Sequence, residues 1–124
     1  MNPVTILYVE DSDDLRDTIS MLLEGPGREI VCCANAEEAL AVLETRDADV
    51  VITDVSLPGM SGTDLARKLL AEKPDRRVVL CSGYEFGDAV HKFGPNVQAL
   101  LKPFEPEEME ELVNKVCEQV RAVA

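Results

Sequence analysis

Five short runs dense in β-branched and apolar residues, VTILYV (4–9), REIVCC (28–33), DVVIT (49–53), RRVVLC (76–81) and VQALL (97–101), alternate along the chain with segments whose apolar residues recur at helical spacing. None of the five keeps a strict polar–apolar alternation, which predicts strands covered on both faces, as in a parallel sheet. After the first run, Leu15, Ile19, Leu22 and Leu23 fall at i, i+4, i+7 and i+8. After the second, Ala36, Ala39, Leu40 and Leu43 fall at i, i+3, i+4 and i+7, and each set makes one apolar stripe along a helix. A third helix is predicted from about Gly62 to Glu72, carrying Leu65, Leu69 and Leu70 and closed by Pro74, which cannot continue it. The last helix holds Met109, Leu112, Val113, Val116 and Val120 in register, with Pro106 suited to its first position and Glu107 and Glu108 favourable to the helix dipole. Only GYEFGDAVHKFGPN (83–96) reads weakly. Three glycines and a proline surround one short helix there, which should be the least stable element.

The sum is (βα)5, with no repeat, low-complexity segment or linker. Short connections in such an alternation imply right-handed crossovers and helices on both faces, so the predicted fold is α/β, a doubly wound five-stranded parallel sheet. The length of 124 residues suits a single domain over 1–124, and 46% hydrophobic with 29% charged residues is the composition of a globular protein. A net charge of −12 argues against direct binding to nucleic acid, whose phosphates must be met by clustered Lys and Arg. No run approaches a membrane span, and MNPVTILYVED has no charged n-region before its first acids, so the expected location is cytoplasmic with no membrane partner. Cys32, Cys33, Cys81 and Cys117 lack C-x-x-C spacing and clustered His. They read as small core residues of a reduced protein.

In open α/β sheets a site lies outside the carboxyl ends of the strands. The first strand ends in Glu10 and Asp11, the third in Asp54, the fourth in Ser82 and the fifth in Lys102 followed by Pro103. With strands in the flavodoxin-like order 2-1-3-4-5, the first and third are neighbours, and Glu10, Asp11 and Asp54 converge on one crevice. Three carboxylates so close repel one another, and positive charge must offset them. Mg²⁺ suits such oxygen ligands, and Lys102 adds a second positive charge. Asp54 could then attack phosphorus as a carboxylate nucleophile, with Ser82 donating a hydrogen bond to the same group.

The segments LYVEDSDDLR, VVITDVSLPGMSG, VVLCSGY and ALLKPFEPEEM resemble, collinearly over essentially the whole chain, the response-regulator receiver domains of two-component signalling. The resemblance implies that Asp54 accepts a phosphoryl group from a histidine kinase or histidine phosphotransfer protein. Glu10, Asp11, Asp54 and the backbone carbonyl of Ser56 would hold Mg²⁺, or Mn²⁺ in its place. Ser82 would be the switching hydroxyl and Lys102 the phosphate-pairing cation, with a cis bond before Pro103. Pro58, Gly59 and Gly62 match the family's turn after the acceptor, and Ser56 and Tyr84 match positions that tune hydrolysis of the phosphoryl group. One departure stands out: Ala99 occupies the place of the usual aromatic, three residues before the lysine. It leaves the coupling to the output surface open, with Tyr84 as a substitute.

On this reading the chain is a switch for protein–protein interactions with an unknown downstream partner. It modifies only itself and turns over no external substrate. It looks like a stand-alone receiver, although SGY after the fourth strand also resembles receivers of hybrid kinases. Two alternatives remain. A phosphorylation-independent interaction module is kept alive by Ala99. A Mg²⁺-dependent phosphohydrolase with an Asp nucleophile is disfavoured, because DVSLP lacks a second carboxylate two residues after Asp54. Asp13 and Asp14 read as residues of a helix start, His91 as a surface residue, and FEPEEMEE (104–111) as a solvated helix start.

Overall fold

Strands form where the β-branched runs predict them: β1 (Val4–Val9), β2 (Arg28–Cys33), β3 (Val50–Asp54), β4 (Arg77–Ser82) and β5 (Val97–Leu101). The structure, a computed structural model, describes residues 3–123. All pairings are parallel and the order is β2-β1-β3-β4-β5, as the flavodoxin-like expectation has it. Four α-helices connect them or follow them: α1 (Asp13–Leu23), α2 (Ala36–Thr45), α3 (Gly62–Glu72) and α4 (Pro106–Val123).

The first two helices start within a few residues of a strand's carboxyl end and the third after the loop 55–61, and each start is fixed by a side-chain oxygen. Ser12 Oγ accepts from the Leu15 amide at 3.4 Å, Asn35 Oδ1 from Glu38 at 2.8 Å and Ser61 Oγ from Asp64 at 3.1 Å. These caps satisfy amides that the helix itself cannot pair. Asp13 and Asp14 lie in the first turn of α1, as expected. Pro106 opens α4, and just before it Glu108 reaches back to the Glu105 amide at 3.0 Å.

The fourth connection departs from the (βα)5 pattern. Gly87–Lys92 forms a 3-10 helix of six residues, capped at its start by Phe86, whose side chain has no oxygen to offer. Gly87 and Gly94 bracket it with positive φ of 56° and 156°, so the backbone turns out of the helical region on both sides before an α-helix can propagate. It is nonetheless anchored, because Phe86, Val90 and Phe93 pack against Val78, Leu80 and Val97.

Each face of the sheet has its own core. Ile6, Tyr8, Ile52 and Cys81 meet Ile19 and Leu23 of α1 and Met109, Val113 and Val116 of α4. On the other face Leu7, Val9 and Val51 meet Ala36 and Ala39 of α2 and Leu65 and Leu69 of α3. The three central strands are covered on both sides, whereas the edge strands are not: β2 is mostly half-buried, and Ala99 and Leu101 of β5 are exposed. That edge position also corrects the expectation for Cys32. Cys33, Cys81 and Cys117 are buried, but Cys32 points to the opposite side from Cys33 on the uncovered strand and is exposed. His91 is exposed, as expected.

Away from the carboxyl edge, one carboxylate holds two cations. Asp47 Oδ2 pairs with Lys73 at 2.7 Å and its Oδ1 with the buried Arg76 at 3.0 Å. Nε and Nη1 of Arg76 have no partner among the described residues, so Asp47 is the counter-charge this guanidinium depends on. The hydrogen bond from Lys73, reinforced by Arg76, holds the Asp47 carboxyl below its ordinary value despite some burial. Asp47→Asn should therefore cost about 1 kcal/mol in urea denaturation at neutral pH, since Asp47 is half-exposed and screened. The difference should be complete above about pH 4, the unfolded carboxyl value, and disappear as pH falls below it through the depressed folded value.

Candidate functional site

The carboxyl edge of the sheet gathers the residues the sequence singles out. Glu10 and Asp11 follow β1, Asp54 ends β3, Ser82 ends β4, and Lys102 follows β5. Carboxylate oxygens of Glu10, Asp11 and Asp54 lie within 4.8 Å of one another. Glu10 and Asp54 are 2% and 9% exposed, while Asp11 faces solvent. Lys102 Nζ sits between the two buried acids, 3.3 Å from Glu10 Oε1 and 3.2 Å from Asp54 Oδ2.

Each group is held by backbone. Glu10 Oε2 accepts from the Ser12 amide at 3.0 Å, the Glu10 amide donates to the Cys33 carbonyl at 3.0 Å, and Arg16 donates to the Glu10 carbonyl at 2.8 Å while pairing with Asp13. Asp54 is fixed from both sides: Thr53 Oγ1 donates to the Asp54 carbonyl at 2.9 Å, and the Val55 amide continues the ladder to Cys81 at 2.9 Å. The Lys102 amide donates to the Ser82 carbonyl at 2.7 Å, and the Lys102–Pro103 bond is cis. Ser56 lies exposed in the loop two residues beyond Asp54.

The electrostatics follow from this crowding. Burial raises the Glu10 carboxyl above its ordinary value. The Ser12 amide and Lys102 oppose that shift, and Asp11 and Asp54 add to it. Burial alone would lower the Lys102 ammonium, but Asp54 and Glu10 outweigh it and hold its pKa above the ordinary value, so it stays charged across neutral pH. Neighbouring groups add no further anion: burial pushes the Cys81 thiol up to about 12 and raises the Tyr8 hydroxyl well above its usual range. Three carboxylates facing one ammonium leave net negative charge in an oxygen-lined cleft. Such a donor set fits a hard divalent cation and lacks the nitrogen or sulfur ligands a softer metal prefers.

Ser82 is buried, and its Oγ accepts from the Tyr84 amide at 3.0 Å. Tyr84 itself is 56% exposed, its ring 5.0 Å from Phe86, which in turn meets Phe93 edge-on at 6.0 Å. Ala99 is exposed on the edge strand. It faces outward on β5, on a hollow of about 380 Å³ shared with Tyr84, Phe86, Val90 and Leu101. Sequence reasoning missed the Phe86–Phe93 pair, because lone aromatics in a glycine-rich segment carry no periodicity. It also missed Arg16, whose role in holding the Glu10 carbonyl only the folded α1 reveals.

A doubly wound parallel sheet with buried acids and a lysine converging at its carboxyl edge defines a class of phosphoryl-handling α/β proteins. Within that class the comparisons are specific. The family model described as response regulator receiver domain matches residues 6–114. The chain is 36% identical over 112 residues to the probable transcriptional regulatory protein TcrX of Mycobacterium tuberculosis, covering 86% of this chain and 47% of that one. Among solved structures it is similar to a CheY-like receiver domain protein from Methanospirillum hungatei, with 25% identity, a TM-score of 0.86 and coverage of 99% and 100%. It is also similar to the response regulator TrrA of Thermotoga maritima in complex with Mg²⁺ and BeF, with 30% identity, a TM-score of 0.79 and coverage of 91% and 98%. The chain belongs to the response regulator receiver domain family. It is a signalling module of the two-component type, and membership selects that reading over a phosphohydrolase. It spans less than half the length of curated relatives such as TcrX and the regulator PhoB of Pseudomonas aeruginosa. Among the described residues no helix is long and apolar enough to cross a membrane.

The position of Asp54 depends on Gly62. Its amide donates to the Val55 carbonyl at 2.9 Å, and a Cβ there would lie 2.0 Å from the Asp54 carbonyl oxygen. Gly62→Ala must push β3 or α3 aside and should cost about 3 kcal/mol in chemical denaturation. Gly83→Ala, where a Cβ meets nothing within 4 Å, should change stability by less than about 0.5 kcal/mol.

Proposed function

We propose that Asp54 is the phosphoacceptor of this receiver, taking a phosphoryl group from a histidine kinase or histidine phosphotransfer protein. The observation that carries the reading is Lys102 Nζ bridging two buried carboxylates, Glu10 and Asp54, beside the exposed Asp11. A carboxylate oxygen of Asp54 attacks phosphorus. The bond from phosphorus to the donor's imidazole nitrogen breaks with its electron pair leaving on that nitrogen, and an acyl phosphate forms on Asp54. Rigid backbone ties hold the nucleophile in place, so little reorganisation is needed at the moment of attack. Lys102 is placed to pair with an oxygen of the arriving group, and Ser82 Oγ to donate to another once it releases the Tyr84 amide.

Glu10, Asp11 and Asp54, with the Ser56 carbonyl, would hold Mg²⁺ or Mn²⁺. The ion would supply charge neutralisation for the incoming phosphoryl oxygens. Beside Lys102 an apolar hollow of about 370 Å³, lined by Leu15, Ile19, Pro103 and Phe104, offers the donor protein a surface next to the acceptor. The chain catalyses only its own phosphorylation and dephosphorylation, in the cytoplasm, and passes the signal on through protein contacts. Its charge of −12 disfavours direct contact with nucleic acid. Residues 1–124 act as one receiver unit.

Intact mass after incubation with acetyl phosphate and Mg²⁺ should rise by one phosphoryl group. The gain should vanish without metal and in Asp54→Asn, and no gain in the native protein under any condition would refute the assignment. Lys102→Ala should slow labelling roughly a hundredfold, as expected for removing one charge aimed at a transferring group. Independently of labelling, Mg²⁺ should raise the thermal midpoint of the native protein, and Asp11→Asn should demand at least roughly tenfold more metal for the same rise.

A further inference from the structure

A groove of about 520 Å³ runs between α3 and the 3-10 helix, lined by none of Glu10, Asp11, Asp54 and Lys102 and adjoining the hollow at Ala99, with which it shares Tyr84 and Phe86. Its apolar walls include Leu70, Phe86 and Phe93, and Tyr84 stands at its edge, 56% exposed. Among the described residues its charged members are Arg67 and Lys92, and none of the described carboxylates lines it, in a chain that carries twice as many acids as bases, 24 against 12. Arg67 is held in place rather than waving in solvent: its guanidinium lies 5.2 Å over the Phe93 ring and donates to Asp64 at 3.0 Å. We propose that this groove docks an acidic segment of a partner protein that inserts a large apolar side chain between Phe86, Phe93 and Leu70.

Charge complementarity selects the partner. The overall charge repels acidic molecules at a distance, but screening at physiological salt confines that repulsion to about 8 Å, inside which a ligand in the groove meets Lys92 and the Asp64-paired Arg67. A nucleotide or other phosphate fits less well, because phosphate recognition needs convergent, uncommitted donors. Among the described residues the buried donors without partners belong to Arg76 and Arg77, elsewhere in the fold, while Arg67 already shares its charge with Asp64. An apolar anchor is equally required, since two half-screened cations alone bind weakly. The inference rests on the receiver reading for its role, naming the chemistry of one partner that the switch addresses; the docking itself does not need Asp54.

Selection of a phage-displayed random-peptide library on the full chain tests it. Enriched peptides should place Asp or Glu around Phe, Trp or Leu. In fluorescence anisotropy they should lose about tenfold in affinity for the Arg67→Glu, Lys92→Glu double variant and weaken with salt. Ala71→Trp, an exposed α3 substitution that fills the groove while leaving both cations in the sequence, should abolish binding and guards against a double variant that merely misfolds. Enrichment of basic peptides, affinity unchanged in both variants, no enrichment, or binding of ATP in place of acidic peptides would each overturn the proposal. Acetyl phosphate labelling of the same samples keeps the two readings apart: loss of labelling counts against the acceptor assignment, loss of acidic-peptide binding against the groove.

Discussion

Everything at the carboxyl edge depends on one arrangement: two buried carboxylates share a single ammonium. Glu10 and Asp54 are nearly closed off from water, where like charges repel strongly and each anion has lost its hydration. Among the described residues Lys102 is the only cation bonded to both. It reaches them from β5, two strands away from the Asp54 strand, over the end of β4. At nearly 5 Å per strand that span needs a long side chain, and the small Ser82 ending β4 leaves the path open. The strand order is thus a chemical requirement as well as a packing result, since it puts β1 beside β3 and leaves β5 within a lysine's reach.

The same edge is wired to the rest of the molecule by backbone rather than by side chains alone. Gly62, at the start of α3, donates to the Val55 carbonyl and lies so close to the Asp54 carbonyl that no side chain fits between them. Ser82 holds the Tyr84 amide, and so the entry to the 3-10 segment. Asp54 therefore has a direct mechanical connection through Gly62 into one wall of the groove that Arg67 and Phe93 line, and Ser82, at the neighbouring strand end, has one into the other. In a chain with Ala99 facing outward on β5, these connections offer a route from the site that does not pass through an aromatic at that position.

Much of this was legible in the sequence, for a physical reason. Central strands buried on both faces must be nearly continuous apolar runs, so β1, β3 and β4 announce themselves, and polar residues at their ends stand out against that background. Glu10, Asp54 and Lys102 are conspicuous because a charge next to a buried run needs an explanation. The edges were less legible: β2 and β5 carry similar residues, yet Cys32 and Leu101 face solvent, because exposure there depends on which neighbour is missing and not on the run itself. The fourth crossover was readable as weak. Its 3-10 form and its Phe86–Phe93 contact were not, since both depend on packing against Val78 and Val97.

That weak crossover is where the fold can afford to move. The nucleophile we propose, which must meet phosphorus in line, needs a rigid strand end, and β3 is fully buried with ladder partners on both sides. A readout surface needs the opposite, a segment whose local opening costs little. The 3-10 helix has no side-chain cap, two positive-φ glycines at its borders and, within its own six residues, only Val90 packed on the sheet's core cluster. It is also the element tied through Tyr84 to Ser82. Only residues 83–86 lie between the rigid end of β4 at Ser82 and this loose element, and the serine hydroxyl holds that short connection at its start through the Tyr84 amide, so it sits at the border between the part of the structure that resists displacement and the part that resists it least.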